Sequence, residues 1–136
     1  MVEFWKLIQA VFTAMGGWIG WFIGGCDGLF IALVIMVVLD YIVGVMRAAV
    51  DKRLSSAIGL KGIFKKTVEL LMVGVANIID VNVLGQGAML RTAVIFLMIS
   101  NEGLSLLEHA AYLGVPIPAK LKDVLEVLHD KSEEGK

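Results

Sequence analysis

The sequence is poor in what a soluble enzyme usually needs. It has one cysteine, two prolines and two histidines among 136 residues. Cys26 alone rules out an intramolecular disulfide framework, and His109 and His129 are too far apart to suggest a metal-ligand spacing. Charged residues make up 18% of the chain, where a water-facing surface usually brings the share to roughly 25%. Twelve basic residues stand against 13 acidic ones, a net charge of -1, so no positive excess points to nucleic acid. No glycine-rich loop follows a strand, and no serine or cysteine is placed near a histidine as a nucleophile. Asp40 and Asp80 invite comparison with an intramembrane aspartyl protease, but Leu39-Asp40-Tyr41 and Ile79-Asp80-Val81 lack the glycine that such a site requires. No catalytic residue, metal or cofactor is expected.

What the chain has instead is apolar length. Hydrophobic residues are 58% and glycines number 15, so together they form about 69% of the chain, against roughly 45 to 50% in soluble domains. A soluble fold of this size would leave much of that surface in water, which makes lipid its natural solvent. Leu7 to Cys26 is an uncharged run long enough, at about 1.5 Å per residue, for a hydrocarbon core of about 30 Å. It predicts a first span over about 5–26. A secretory signal peptide is the competing reading, but a second apolar run follows at once where a signal peptide would give way to a polar mature chain. That run, 28–46, carries only Asp40 as a charge, and Gly24-Gly25-Cys26-Asp27-Gly28 predicts a tight turn and an antiparallel pair.

Residues 47–66 then hold Arg47, Lys52, Arg53, Lys61, Lys65 and Lys66 against the single acid Asp51, which marks the cytoplasmic side and puts the N-terminus there too. Within this basic loop, 54–63 reads either as a short interfacial helix or as a solvated loop. A third stretch, 67–84, is interrupted by Glu69, Asn77, Asp80 and Asn82, and a fourth, 88–107, by Arg91, Asn101 and Glu102. The fold class is therefore all-α, an integral membrane protein of three to four transmembrane helices, the third being the one that could lie in the interface. Residues 1–112 form the membrane domain and 113–136 a separate C-terminal part. There Leu121, Val124, Leu125 and Leu128 recur at helical spacing opposite Lys120, Lys122, Asp123, Glu126 and Asp130, after prolines 116 and 118. This predicts a short amphipathic helix with a frayed end over 132–136.

Two patterns suggest association. Gly16, Gly20, Gly24 and Gly28 recur every fourth residue, a helix-packing stripe whose partner is either the second span or another copy of the chain. Polar residues also fall on stripes: Asp40, Gly44, Arg47 and Asp51 in the second span; Glu69, Asn77 and Asp80 in the third; Arg91, Glu102, Ser105 and His109 in the fourth. Asn101 and Glu108 add to the polar candidates. Offsets of 8 and 11 residues keep the third stripe within about 80°. A charge facing lipid at mid-span costs at least about 2.5–3.5 kcal/mol, so these faces must meet protein or water. Either Arg91 pairs with Asp80 or Glu102 in a satisfied buried network, or the stripes line a pore when copies assemble.

Several motifs in order also resemble a known family. Asp40-Tyr41-Ile42-Val43-Gly44, then Leu54-Ser55-Ser56 to Gly59-Leu60-Lys61-Gly62-Ile63 with Lys65-Lys66, then Asn77 to Asp80, are similar to the phage lysis and clostridial toxin-secretion holins. Asn101-Glu102-Gly103-Leu104-Ser105-Leu106-Leu107-Glu108 followed by Gly114-Val115-Pro116-Ile117-Pro118 is the most specific part, and the set covers 40 to about 131. His109 departs from the asparagine that the resemblance implies. The resemblance implies a homo-oligomer in the bacterial inner membrane that opens large lesions. An endolysin or a toxin would leave through them, and an antiholin is an implied partner. The rival class is a small multi-helix ion or drug transporter using membrane carboxylates.

Overall fold

The structure, a computed structural model, describes residues 1–85 and 87–134, without the side chains of 128 and 131–134. Gln86, in the expected turn, and Gly135 and Lys136, in the expected frayed end, lie outside the described residues, as does the Leu128 side chain of the amphipathic pattern. Five helices follow in order: α1 Val2–Ile23, α2 Gly28–Val50, α3 Ser56–Ile79, α4 Met89–Tyr112 and α5 Ala119–Glu134. No strand occurs among the described residues. The last turn of α3 widens into a π-type turn over Asp80–Leu84 and stops at Gly85, whose φ of 78° suits a residue without a Cβ.

Local sequence explains each boundary. Gly24 adopts φ 91° and closes α1, its N–H donating to the Gly20 and Trp21 carbonyls. The Asp27 carboxylate accepts the Phe30 N–H at 2.9 Å and so caps α2. Ser55 caps α3 by accepting the Ile58 N–H at 3.2 Å. Gly114, at φ 89°, and the two prolines turn the chain from α4 into α5.

Three helices are long and apolar enough to cross a membrane: α2, α3 with its π-type turn, and α4. The doubtful third stretch is thus one of the three, and α1, expected as a firm span, is not among them. The first-pair expectation also changes. α1 packs along α3 and not along α2, through its last turn at Phe22, while the Ile23 carbonyl meets α4. A Cβ at Gly74 would run into the Phe22 ring, so Gly74 is the notch that admits α1. Residues before Gly20 are almost all exposed.

The expected basic loop 47–66 shrinks as well. Arg47 belongs to α2, and Lys61, Lys65 and Lys66 belong to α3, leaving only 51–55 as a connection. The cap at Ser55 starts α3 before the basic residues, and long basic side chains fit a helix because their stems cover apolar surface while their heads reach polar surroundings. Phe30, Leu33 and Val37 of α2 meet Val73 of α3 and Ile95 of α4, with Ile23 of α1, in one apolar layer. Lipid is as apolar as that layer, so close fit and polar contacts must hold the helices together.

Candidate functional site

Two polar nodes lie on either side of the apolar layer. In the first, near the α1–α2 turn, Arg91 is 3% exposed and its guanidinium makes four hydrogen bonds. It donates to the Ile23 carbonyl at 2.6 Å, the Gly25 carbonyl at 2.8 Å and the Asp27 carboxylate at 2.8 and 3.3 Å. The Arg91 guanidinium, together with the Phe30 N–H, holds the Asp27 carboxyl below the usual carboxylate range. Asp80, completely buried, accepts the Leu90 and Arg91 backbone N–H groups at 3.0 and 2.8 Å. It therefore caps α4 from another element, where α4 has no side-chain cap of its own. Asn77 donates to the Trp21 and Phe22 carbonyls at 3.3 and 3.0 Å, tying down the open end of α1.

This corrects the expected pairing of Arg91. Its side chain pairs with Asp27 across the molecule, its main chain alone meets Asp80, and Glu102 is engaged elsewhere. The reason is geometric: Arg91 sits in the first turn of α4, level with the carbonyls that end α1, while Glu102 lies three turns further along.

The second node centres on Lys66, whose ammonium lies 2.7 Å from Asp40 Oδ2 and 2.6 Å from Glu102 Oε2. Glu69 stands beside Glu102. Glu69 Oε2 and Asp40 Oδ1 are buried without a hydrogen-bond partner. Two carboxyl groups thus share one ammonium, with a third beside them. His109 extends the node: its Nε2 is 3.7 Å from Asp40 Oδ1 and 3.4 Å from Ser105 Oγ, and Arg47 meets its Nδ1 at 3.3 Å. Arg47 also lies 4.0 Å over the Tyr112 ring, whose hydroxyl donates to Asp51. A cavity of about 260 Å³ opens between α2 and α3 here, lined by Asp40, Gly44, Lys66, Ser105 and His109 among others.

The expected site residues separate accordingly. Asp40, Glu69, Glu102 and Ser105 come together in the second node; Asn77, Asp80 and Arg91 in the first. Asn101 and Glu108 are exposed on the outside of α4. Of the basic set, Arg47 and Lys66 join the second node, while Lys52, Arg53, Lys61 and Lys65 are exposed. The glycine stripe breaks up. Gly16 and Gly20 lie on α1 with open space before them, Gly24 is the α1 cap packed on Asn77 and Arg91, and Gly28 opens α2. A left-handed cap at Gly24 turns the chain and takes the later glycines off the α1 face.

Sequence reasoning left Asp27, Tyr112 and the role of Lys66 out of the site. Asp27 and Tyr112 gave no signal before the fold joined distant ends. Lys66 did: it begins a stripe with Glu69, Asn77 and Asp80 at i+3, i+11 and i+14.

Helices of membrane-spanning length held by two internal ionic nodes define a small polytopic membrane protein. The chain belongs to the bacteriophage holin family, which it matches over residues 17–130. It is 34% identical to a probable holin of Bacillus phage phi105 over 102 residues, covering 75% of each chain. It is also 42% identical over 120 residues to an uncharacterised 14.9 kDa protein from the nagH 3′ region of Clostridium perfringens, covering 88% of this chain and 90% of that one. A protein of Bacillus subtilis, YqxH, is 33% identical over 104 residues, covering 76% of this chain and 74% of that one. No solved structure matches the chain.

Proposed function

We propose that this protein is a holin that assembles in the bacterial cytoplasmic membrane and opens lesions wide enough for a folded cell-wall hydrolase or a toxin. The observation that carries this reading is the second node: three carboxyl groups and one ammonium between apolar helices, beside a cavity that already admits water-sized molecules. Lipid cannot cover such a face, and a single chain leaves two of its carboxyl oxygens without partners. Lateral assembly that lets water reach the node relieves both deficits. An ion filter would need fixed ligands in a closed ring, and the node is one-sided.

The basic end of the bundle, with Lys52, Arg53, Lys61 and Lys65 exposed, faces the cytoplasm on this reading. The α1–α2 turn then lies outside and α5 inside. The hydrolase or toxin passes without a direct contact. A product begun at Met15 would lack most of α1 yet keep Phe22 and Ile23, its docking residues on α3, and so enter the same assemblies as an antiholin.

The test is the size of what escapes. Bacteria expressing the chain together with a folded cytoplasmic reporter enzyme should release that enzyme abruptly after a delay. Loss of potassium with the reporter fully retained at all expression levels would overturn the reading and favour a transporter.

A further inference from the structure

The lipid-facing surface of the bundle differs in height from one side to the other. On α2 the exposed apolar side chains run from Ile31 through Ile35, Val38, Ile42 and Met46 to Val50, and the charged Asp40 points inward. That helix has 23 residues, a length of about 34 Å, which matches a hydrocarbon core of about 30 Å. On α4 the exposed large apolar residues are Met89, Leu90 and Phe96 towards its start and Tyr112 at its end, with none between 97 and 111. The upper border is the start of α4 at Met89, and Asn101 is exposed below.

The lower border on this side is fixed independently by α5. Leu125 of α5 is buried at Gly103, where an added Cβ would stand 2.9 Å from Leu125 Cδ2. At that level α5 exposes Lys122, Asp123 and Glu126 together with Leu121, Val124 and Val127. Exposed apolar and charged strips on one helix are the mark of a segment lying where acyl chains meet headgroups. The interface must therefore reach the depth of Gly103. From Met89 to Gly103 the rise along α4 is about 21 Å.

We infer that the α4–α5 face binds a bilayer thinned to well below its resting thickness, while the α2 face holds it at full height. The partner of this face is the lipid bilayer itself, and the chain acts on it as a one-sided wedge. Deformed lipid on one side drives copies together, because bringing two short faces into proximity reduces the area that must thin. The same face then marks where a sheet of lipid is weakest.

The experiment uses the full chain labelled at Cys26, which is exposed, with donor and acceptor dyes. It is reconstituted in phosphatidylcholine vesicles of monounsaturated chains from about 14 to 22 carbons. Energy transfer is read on intact vesicles, so the result is independent of whether lesions form. Self-association should strengthen about tenfold or more from the shortest to the longest lipids. A combined Asn101→Leu, Lys122→Leu and Glu126→Leu variant extends the apolar band and should lose most of that dependence. Association that is the same in all lipids, or a variant that follows the native chain through the series, would overturn the inference. The first result would show a specific face between copies instead. If the variant does not fold, the native series alone decides.

Discussion

At one end of the bundle Arg91 meets Asp27 and two main-chain carbonyls, while Asp80 and Asn77 secure the ends of α4 and α1. At the other, Lys66 bridges Asp40 and Glu102, with Glu69 beside Glu102, carboxyl oxygens left over and a cavity alongside. Both nodes draw on the same residue types, but the first satisfies main-chain ends that any helical hairpin must cap. The second satisfies nothing in the backbone. A polar group that closes helix ends is a clamp, whereas one that only faces other charges can be exchanged for water.

The difference can be broken most severely at Arg91. Arg91→Met leaves the Ile23 and Gly25 carbonyls without their donor and removes the ion pair of the half-exposed Asp27, and should cost about 3–4 kcal/mol. Thermal unfolding in detergent should show the loss, and Arg91→Lys should not restore it, because one ammonium cannot serve acceptors spread across a planar fork. Lys66→Met should cost less, about 2–3 kcal/mol, since the cavity beside it admits water to the abandoned carboxylates. Its main effect should be on timing, with release of a reporter protein beginning earlier than in the native chain. An unchanged onset in a folded Lys66→Met protein would remove the second node from the opening step.

Gly74→Ala tests α1. The new methyl group collides with Phe22, and undocking α1 should cost about 1–2 kcal/mol, loosening the first node at the end of α1 while leaving the second intact. Limited proteolysis of α1 in the folded protein should then speed up. The smallest effect belongs to Asp27. Its carboxyl is held below the usual range by Arg91, so its contribution is present above the unfolded value of about 3.9 and is lost as pH falls through the lower folded value. Stability should be flat near neutrality and decline slightly only below about pH 3.9 through this group. The same titration on Asp27→Asn should lack that decline.

Much of this architecture was legible in the residues. Apolar run length predicted α2 and α4, and the spacing of Glu69, Asn77 and Asp80 predicted that one face of α3 turns inward. By its polar content the third stretch could cross or lie in the interface, and the structure makes it long and apolar enough to cross. On one inward stripe, Asn77 and Asp80 cost little, since each caps a neighbouring helix. The glycine repeat misled for a related reason: periodicity assumes one continuous helix, and Gly24 ends it. The partners of Arg91 were beyond reach, because they depend on the docking of α1 on α3 through Phe22 and Gly74, which no local pattern encodes. Lys66 was assigned to a loop by its charge, although its spacing from Glu69 placed it on the stripe.

The most direct test of the account concerns Ser105, a residue of α4 that lines the cavity with Asp40 and Lys66. In a Cys26→Ser background, Ser105→Cys introduces a single thiol with little change in volume. A membrane-impermeant maleimide should leave it unmodified until the moment a folded reporter begins to escape, and label it rapidly afterwards. Labelling at an equal rate before and after release, or a thiol still protected once proteins are leaking, would contradict the claim that the buried polar interior of the bundle is what opens to water.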